Sequence, residues 1–281
     1  MKIVVLGGSG FMGSHLCDLL SSKGHKVNIF DIKKSKYKKK NQKMYIGSIL
    51  DKKELSLAVR GCDFVYHFAA LADLDIASNE PLKSAKINIV GTINALEICK
   101  KYNIKRFIFA SSIYANAEEG SFYGSSKQAA EIYIEKFYNN FGLNYTILRF
   151  SNVYGAYSLH KSSAIHQMMR CLKKNKLFKI HGTGKQLRDF IYVEDLLKKI
   201  NKIYKKNLKK NFYNINTNKL NSINEIVKIL NSFSNKTLKT KHVKAPVGYD
   251  VSFFKKAKVR RNANLILNLK KTFNWYNSKK L

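Results

Sequence analysis

Residues 2–31, "KIVVLGGSGFMGSHLCDLLSSKGHKVNIFD", decide the reading of the fold. The β-branched run at 2–6 ends directly on glycines and reads as a buried parallel strand. Phe11, Leu16, Leu19 and Leu20 then recur at helical spacing, with Gly24 as the stop. A second strand, "HKVNIFD", closes on Asp31. Gly7, Gly10 and Gly13 form G-x-x-G-x-x-G at the turn from strand to helix. Glycine permits that tight turn and lets the backbone approach a pyrophosphate, which then rests on the helix N-terminus. Asp31 follows Gly13 by eighteen residues. A carboxylate at the end of the second strand accepts hydrogen bonds from adenosine ribose hydroxyls and repels a 2′-phosphate. The stretch therefore predicts NAD rather than NADP, with Lys33 and Lys34 pulling the other way.

The same alternation runs onward. "KMYIGSI", "DFVYHFAA", "KRFIFASS" and "LNYTILRF" read as strands. Helical patterns occupy 51–60, 83–102 and 123–142. Strands alternating with helices give right-handed βαβ units and a parallel sheet covered on both faces. The expected fold is α/β: a Rossmann-type, doubly wound parallel sheet with a smaller mixed α/β C-terminal lobe. Beyond about residue 155 the alternation loosens. Short strands ("FKIHG", "NFYNINT") mix with helices ("SAIHQMMRCLKK", "SINEIVKILNSF"). This places a nucleotide-binding domain at 1–157 and a substrate lobe at 158–281, part of which returns to the first domain.

At 281 residues and 45% hydrophobic content, the chain can bury one large core or a core with a lobe. No apolar run is long enough to span a bilayer, and the first residues lack a signal-peptide layout. Cys17, Cys62, Cys99 and Cys171 are widely spaced and read as reduced thiols of a cytosolic protein. Lys and Arg total 52 against 18 Asp and Glu. Such an excess fits a nucleic-acid or anionic surface. Only seven of the 52 are Arg, and the lysines lie in scattered short runs such as "KKSKYKKK", which favours compositional bias and a solvated surface.

Several later segments carry a resemblance. "GGSGFMGSH", "VYHFAALA", "NIVGTINALE", "FIFASSI", "YGSSK", "LRFSNVYG" and "GTGKQLRDFIYVEDL" occur in that order. Together they resemble the extended short-chain dehydrogenase/reductase family, in its NAD-dependent nucleotide-sugar epimerase/dehydratase branch, almost end to end. The resemblance implies that Ser112, Tyr123 and Lys127 are catalytic. It implies that Gly7, Gly10, Phe11, Met12, Gly13 and Asp31 hold NAD. Ser48 and Ile49 would meet the adenine, and Phe68, Ala69, Ala70 and Asn88 would line the cofactor. Asn152 and Arg188 would bind the nucleotide sugar, Arg188 at its diphosphate; the rival reading of Arg188 is a surface arginine paired with Asp189. A homodimer through the helices at 83–102 and 122–141 is implied as well.

The chemistry of the Tyr-x-x-x-Lys pair follows from its spacing. Positions i and i+4 share a helix face. An ammonium beside a phenol favours the phenolate and is expected to lower its pKa from about 10. Tyr123 then takes a proton from a sugar hydroxyl while hydride leaves the same carbon, and Ser112 stabilises the developing charge. A 4,6-dehydratase of this branch carries Asp-Glu directly after the catalytic serine or threonine; here Ile113 and Tyr114 follow Ser112. The leading expectation is a 4-epimerase, with a keto-sugar reductase or dehydratase as alternatives. A non-catalytic basic Rossmann protein binding RNA is a third. The loop from Ser112 to Tyr123 is short for the branch, so the sugar stays open, and Ser48 stands where an Asp is frequent, offering adenine a hydroxyl in place of a charged acceptor. His67 reads as packed, and His160, His166 and His181 have no metal-ligand spacing. Asp73 and Asp75 read as a solvated loop, Met168 and Met169 as core, and Tyr133, Tyr138 and Tyr145 as packing.

Overall fold

The computed structural model describes residues 1–116, 121–158, 163–204, 212–245 and 263–278. The first half runs β1 (Lys2–Leu6), α1 (Phe11–Ser22), β2 (Lys26–Asp31), β3 (Gln42–Ile46), α2 (Lys52–Val59), β4 (Phe64–His67), α3 (Leu74–Asn79), α4 (Pro81–Ala85), α5 (Gly91–Lys101), β5 (Arg106–Ser112), α6 (Phe122–Phe141) and β6 (Tyr145–Phe150). There follow β7 (Asn152–Tyr154), α7 (Ala164–Lys173), β8 (Phe178–His181), β9 (Leu187–Tyr192), α8 (Val193–Tyr204), β10 (Phe212–Ile215), β11 (Leu220–Ser222), α9 (Ile223–Phe233), β12 (Thr240–Val243) and α10 (Ala263–Ser278).

The chain divides into two compact units, residues 1–150 with 197–215 and residues 151–196 with 216–281. In the first, seven strands pair in parallel in the order β3-β2-β1-β4-β5-β6-β10. The order reverses beside β1, the switch point at which open α/β sheets bind ligands. Val4, Leu6, Phe30, Val65, Phe107, Phe109 and Ile147 bury the sheet against Leu55, Leu96, Ala130 and Ile134 of the helices. Local chemistry sets the helix ends. Asp51 caps α2 by accepting from the Lys53 and Glu54 amides. Ser121 caps α6 through the Gly124 amide, and Gly142, at φ 68°, ends it.

The segment "NFYNINT" lies in the C-terminal part of the chain, of which a portion is expected to return to the first domain, and its β10 pairs with β6 in the large sheet. Three features differ from the sequence expectation: the division of one helix, the role of Asp73 and the exposure of Tyr133. The helix expected at 83–102 is divided into α4, a π-helical turn at Lys86–Val90, and α5. Asp73 is a helix cap, its Oδ1 accepting from the Asp75 and Ile76 amides, and Tyr133 is exposed, whereas Tyr145 is buried.

The second unit holds a three-stranded sheet, β11-β9-β7, and a parallel pair, β12-β8. Met168 and Met169 of α7 are fully buried there. Ser222 and Glu225 cap α9 reciprocally. β9, α8 and α10 were not read as elements. The spacing of Val193, Leu196, Leu197 and Ile200, all buried, was the available signal for α8. Among the described residues no helix is long and apolar enough to cross a membrane. His160 lies outside the described residues, as do 117–120 of the Ser112–Tyr123 loop.

Candidate active site

The glycine loop folds between β1 and α1 because side chains would not fit. Gly7 adopts φ 81°, and a Cβ on it would stand 2.5 Å from the Ala69 nitrogen. A Cβ on Gly13 would stand 2.2 Å from the Gly7 carbonyl oxygen. Helix α1 starts at Gly10 with no side chain capping it and no acid in its first turn, so its N-terminal field meets the loop uncompensated. Phe11 and Met12 are half-buried in that turn. At the rim, Asp31 Oδ2 accepts from the Ser9 amide at 3.0 Å and Oδ1 from the Lys33 amide at 3.2 Å. Burial pushes the Asp31 carboxyl up; those amides and the Lys33 charge oppose it. A glycine cradle on an open helix end, with a fixed carboxylate beside it, fits a dinucleotide.

Phe68, Ala69 and Ala70, expected to line the cofactor, are all half-buried, with Ala69 close against Gly7. Phe68 donates its amide to the Leu6 carbonyl at 2.8 Å and sets its ring 5.8 Å from that of Phe150. Asn88, expected to line the cofactor, is buried and bonds protein groups through its amide. Its Oδ1 accepts from the Leu71 amide, and its Nδ2 donates to the Leu71 carbonyl and to Ser126 Oγ. It ties the loop after β4 to α6. Ser48 Oγ accepts from the Leu50 amide at 3.2 Å. Ile49 is buried against Gly91, where a Cβ would come within 2.5 Å of its Cδ1. His67 is fully buried, bonds Thr92 Oγ1 at 3.0 Å, and is pulled down to about 3 by desolvation. A neutral, enclosed imidazole is packing, as expected.

Ser112 ends β5, while Tyr123 and Lys127 lie one turn apart on α6. The three converge. Lys127 Nζ donates to the Ala110 carbonyl at 2.9 Å and sits 4.5 Å from the Phe109 ring centroid and 5.9 Å from that of Tyr123. The Tyr114 amide donates to Ser112 Oγ at 3.2 Å. Electrostatics correct one expectation. The Tyr123 phenol is raised, not lowered: burial dominates, the Tyr114 phenol adds to it, and a hydrogen bond with Ser112 opposes. Lys127 is itself pulled down to about 7 by burial, against an opposing pull from Glu131. Burial outweighs the Ser112 hydrogen bond, which is the cause that favours the phenolate.

A sequence model of the family described as "NAD dependent epimerase/dehydratase family" matches residues 3–216. The chain belongs to the NAD-dependent epimerase/dehydratase family. NAD is the cofactor of this family, and the glycine cradle suits it. A "Putative UDP-glucose 4-epimerase" of Methanocaldococcus jannaschii is 34% identical over 81% of this chain and 81% of its own length. A "dTDP-D-glucose 4,6-dehydratase" of Dictyostelium discoideum is 31% identical over 82% of this chain, which spans 62% of that protein. The crystal structure of UDP-glucose 4-epimerase with UDP-glucose from Thermotoga maritima superposes with TM-score 0.89 at 27% identity, covering 99% of both chains. The fold of this epimerase/dehydratase chain is therefore that of the UDP-glucose 4-epimerase-like extended enzymes.

In its second unit, Asn152 on β7 and Arg188 on β9 occupy neighbouring parallel strands. Asn152 Nδ2 donates to the Asp189 carbonyl at 3.2 Å. Arg188 is buried, and its Nη1 donates to the Leu187 carbonyl at 3.0 Å. The Asp189 carboxylate accepts from Ser151, Thr217 and Lys219. Burial of Arg188 removes the premise of a surface arginine. Sequence reading missed this Asp189 anchor, although Thr217 and Lys219 sit in the turn before β11.

Proposed function

We propose that the chain is an NAD-dependent 4-epimerase of a nucleotide-diphosphate sugar, working through a transient keto sugar. One observation carries the reading: Ser112, Tyr123 and Lys127 converge, while Ile113 and Tyr114, neither of them an acid, follow Ser112. Elimination of water needs a further acid/base pair, which these two do not provide. Bound NAD would supply the hydride acceptor and return the hydride to the other face of the sugar carbon. Tyr123 exchanges the proton of the sugar hydroxyl at its phenol oxygen. Ser112 donates to the same sugar oxygen as charge develops. Lys127, when charged, offsets the raised phenol and bonds the nicotinamide ribose.

NMR of purified protein incubated with UDP-, dTDP- and GDP-sugars tests this. A C4 epimer formed without added reductant is expected. A 4-keto-6-deoxy product would indicate a dehydratase, and a requirement for stoichiometric NADH a reductase. Binding of a generic RNA that weakens steeply with salt, without turnover, would favour the non-catalytic alternative. Pairing of two chains through the helical run 83–102 and α6 is supported by the exposed Val90, Ile132 and Tyr133. Sedimentation as a single chain would count against it.

Asp31 should make NAD(H) bind more tightly than NADP(H), because its fixed carboxylate accepts from ribose hydroxyls and repels a 2′-phosphate. Fluorescence titration measures this, and a reversed preference would assign the rim to Lys33 and Lys34. Arg188→Ala should raise KM and lower kcat/KM by roughly ten- to a hundredfold, the equivalent of about 1.5–3 kcal/mol for a lost charge-assisted pair. NAD affinity should hold, since the cofactor's pyrophosphate belongs on the glycine loop. Unchanged kcat/KM would remove Arg188 from the substrate site.

A further inference from the structure

Behind Lys127 lies a second buried charge. Glu131 is one turn further along α6 and is 4% exposed. Arg149 of β6 grips both of its oxygens, Nε donating to Oε1 at 2.9 Å and Nη2 to Oε2. The Ser111 hydroxyl of β5 donates to Oε1 at 2.5 Å. The Phe212 ring of β10 covers the guanidinium, its centroid 5.0 Å away. Apolar residues of similar volume would join these elements at lower desolvation cost, so the pair asks for a reason beyond packing.

The surroundings of Lys127 supply one. It faces Tyr123 and Glu131 on its own helix, the Ala110 carbonyl and Phe109 ring of β5, and the neutral His67 of β4. Around Glu131 are Arg149, Ser111 and Tyr145, whose phenol burial and Glu135 push up, and Glu135 also acts on Arg149. Burial opposes the ammonium, and Glu131 is the carboxylate that acts for it.

We propose that Glu131, clamped by Arg149 and Ser111, is a positioning residue that keeps Lys127 charged beneath Tyr123. This rests on the reading of Lys127 as the cationic partner of Tyr123. The sign follows from the charges. Without the carboxylate, Lys127 gives up its proton at lower pH and the phenolate loses its counter-charge. Turnover then falls, and the basic limb of the pH–rate profile moves to lower pH. A merely structural role would lower turnover evenly at all pH.

The direct test is NMR of the NAD-free full chain with 13C at the lysine Cε. The signal lost in Lys127→Ala is Lys127, expected to titrate at about 7 because of its burial, while exposed lysines titrate at about 10.4. In Glu131→Gln it should titrate about one pH unit lower, since loss of a neighbouring opposite charge disfavours the ammonium. In Arg149→Met, where the carboxylate stays, it should not fall. An unchanged midpoint in Glu131→Gln, or a drop in both variants, would overturn the proposal. Should Glu131→Gln fail to fold, the double variant with Arg149→Met leaves neither charge unpaired. Its midpoint should also lie below that of the unaltered chain, and an unchanged one would overturn the proposal equally. The readout needs no turnover. A Lys127 shift in a protein that epimerises no sugar would sink the proposed function and leave the Glu131 assignment standing.

Discussion

Replacing Tyr123 with Phe is expected to reduce kcat by about 10²–10⁴, the range supplied by a positioned acid/base group, while NAD affinity stays nearly unchanged. The ring is half-buried at the head of α6, and Phe keeps its volume. Only the hydroxyl and its hydrogen bond with Ser112 are lost. A neutral hydrogen bond is worth about 1 kcal/mol, so the fold should survive. The phenol is raised by burial in the cofactor-free chain, so Tyr123 becomes a base only when charge gathers around it. The activity of the unaltered enzyme should therefore rise with pH on its acidic limb, and Tyr123→Phe should remove that limb rather than move it. Steady-state kinetics and a cofactor titration on one preparation decide the matter. Near-normal turnover in the variant would end the proposed mechanism.

Gly13→Ala should cost both the cofactor and stability. The added methyl would lie 2.2 Å from the Gly7 carbonyl oxygen and 2.8 Å from the Gly8 Cα, all backbone. A side chain could rotate away; this loop cannot, because Gly7 and Gly8 both donate their amides to the Phe30 carbonyl. The loop must open or α1 must shift, and overpacking of that kind costs about 1–3 kcal/mol. Either movement displaces the amides that would meet a pyrophosphate. Thermal denaturation with and without NAD should show a lower Tm and little or no stabilisation by the cofactor. A variant with the parental Tm and a normal NAD-induced rise would mean that the close packing is not needed for binding.

The candidate site was legible where one element carries it. Tyr123 and Lys127 are four residues apart on one helix, and the glycines sit in one turn, so their spacing and order carry the resemblance that places them. Asn88 was legible as a polar residue in a helical run, but its partners, Leu71 and Ser126, lie on other elements. Its work in tying the loop after β4 to α6 could not be read from its neighbours in sequence. Glu131 sat in plain view four residues beyond Lys127, and only the fold brings Arg149 and Ser111 to it.

Residues 2–150 were largely determined by sequence itself, because periodicity of two or 3.6 and the glycine stops are local properties. Strand type, helix faces and the binding turn followed from them. Tertiary structure decided what depends on distant partners. β10 completes the large sheet through register with β6, across some sixty residues of chain, and a short run such as "FYNI" carries no mark of which sheet will take it. The protonation of Tyr123 was decided there too. The spacing to Lys127 implies a lowered phenol, but burial, which exists only once the chain has folded, raises it.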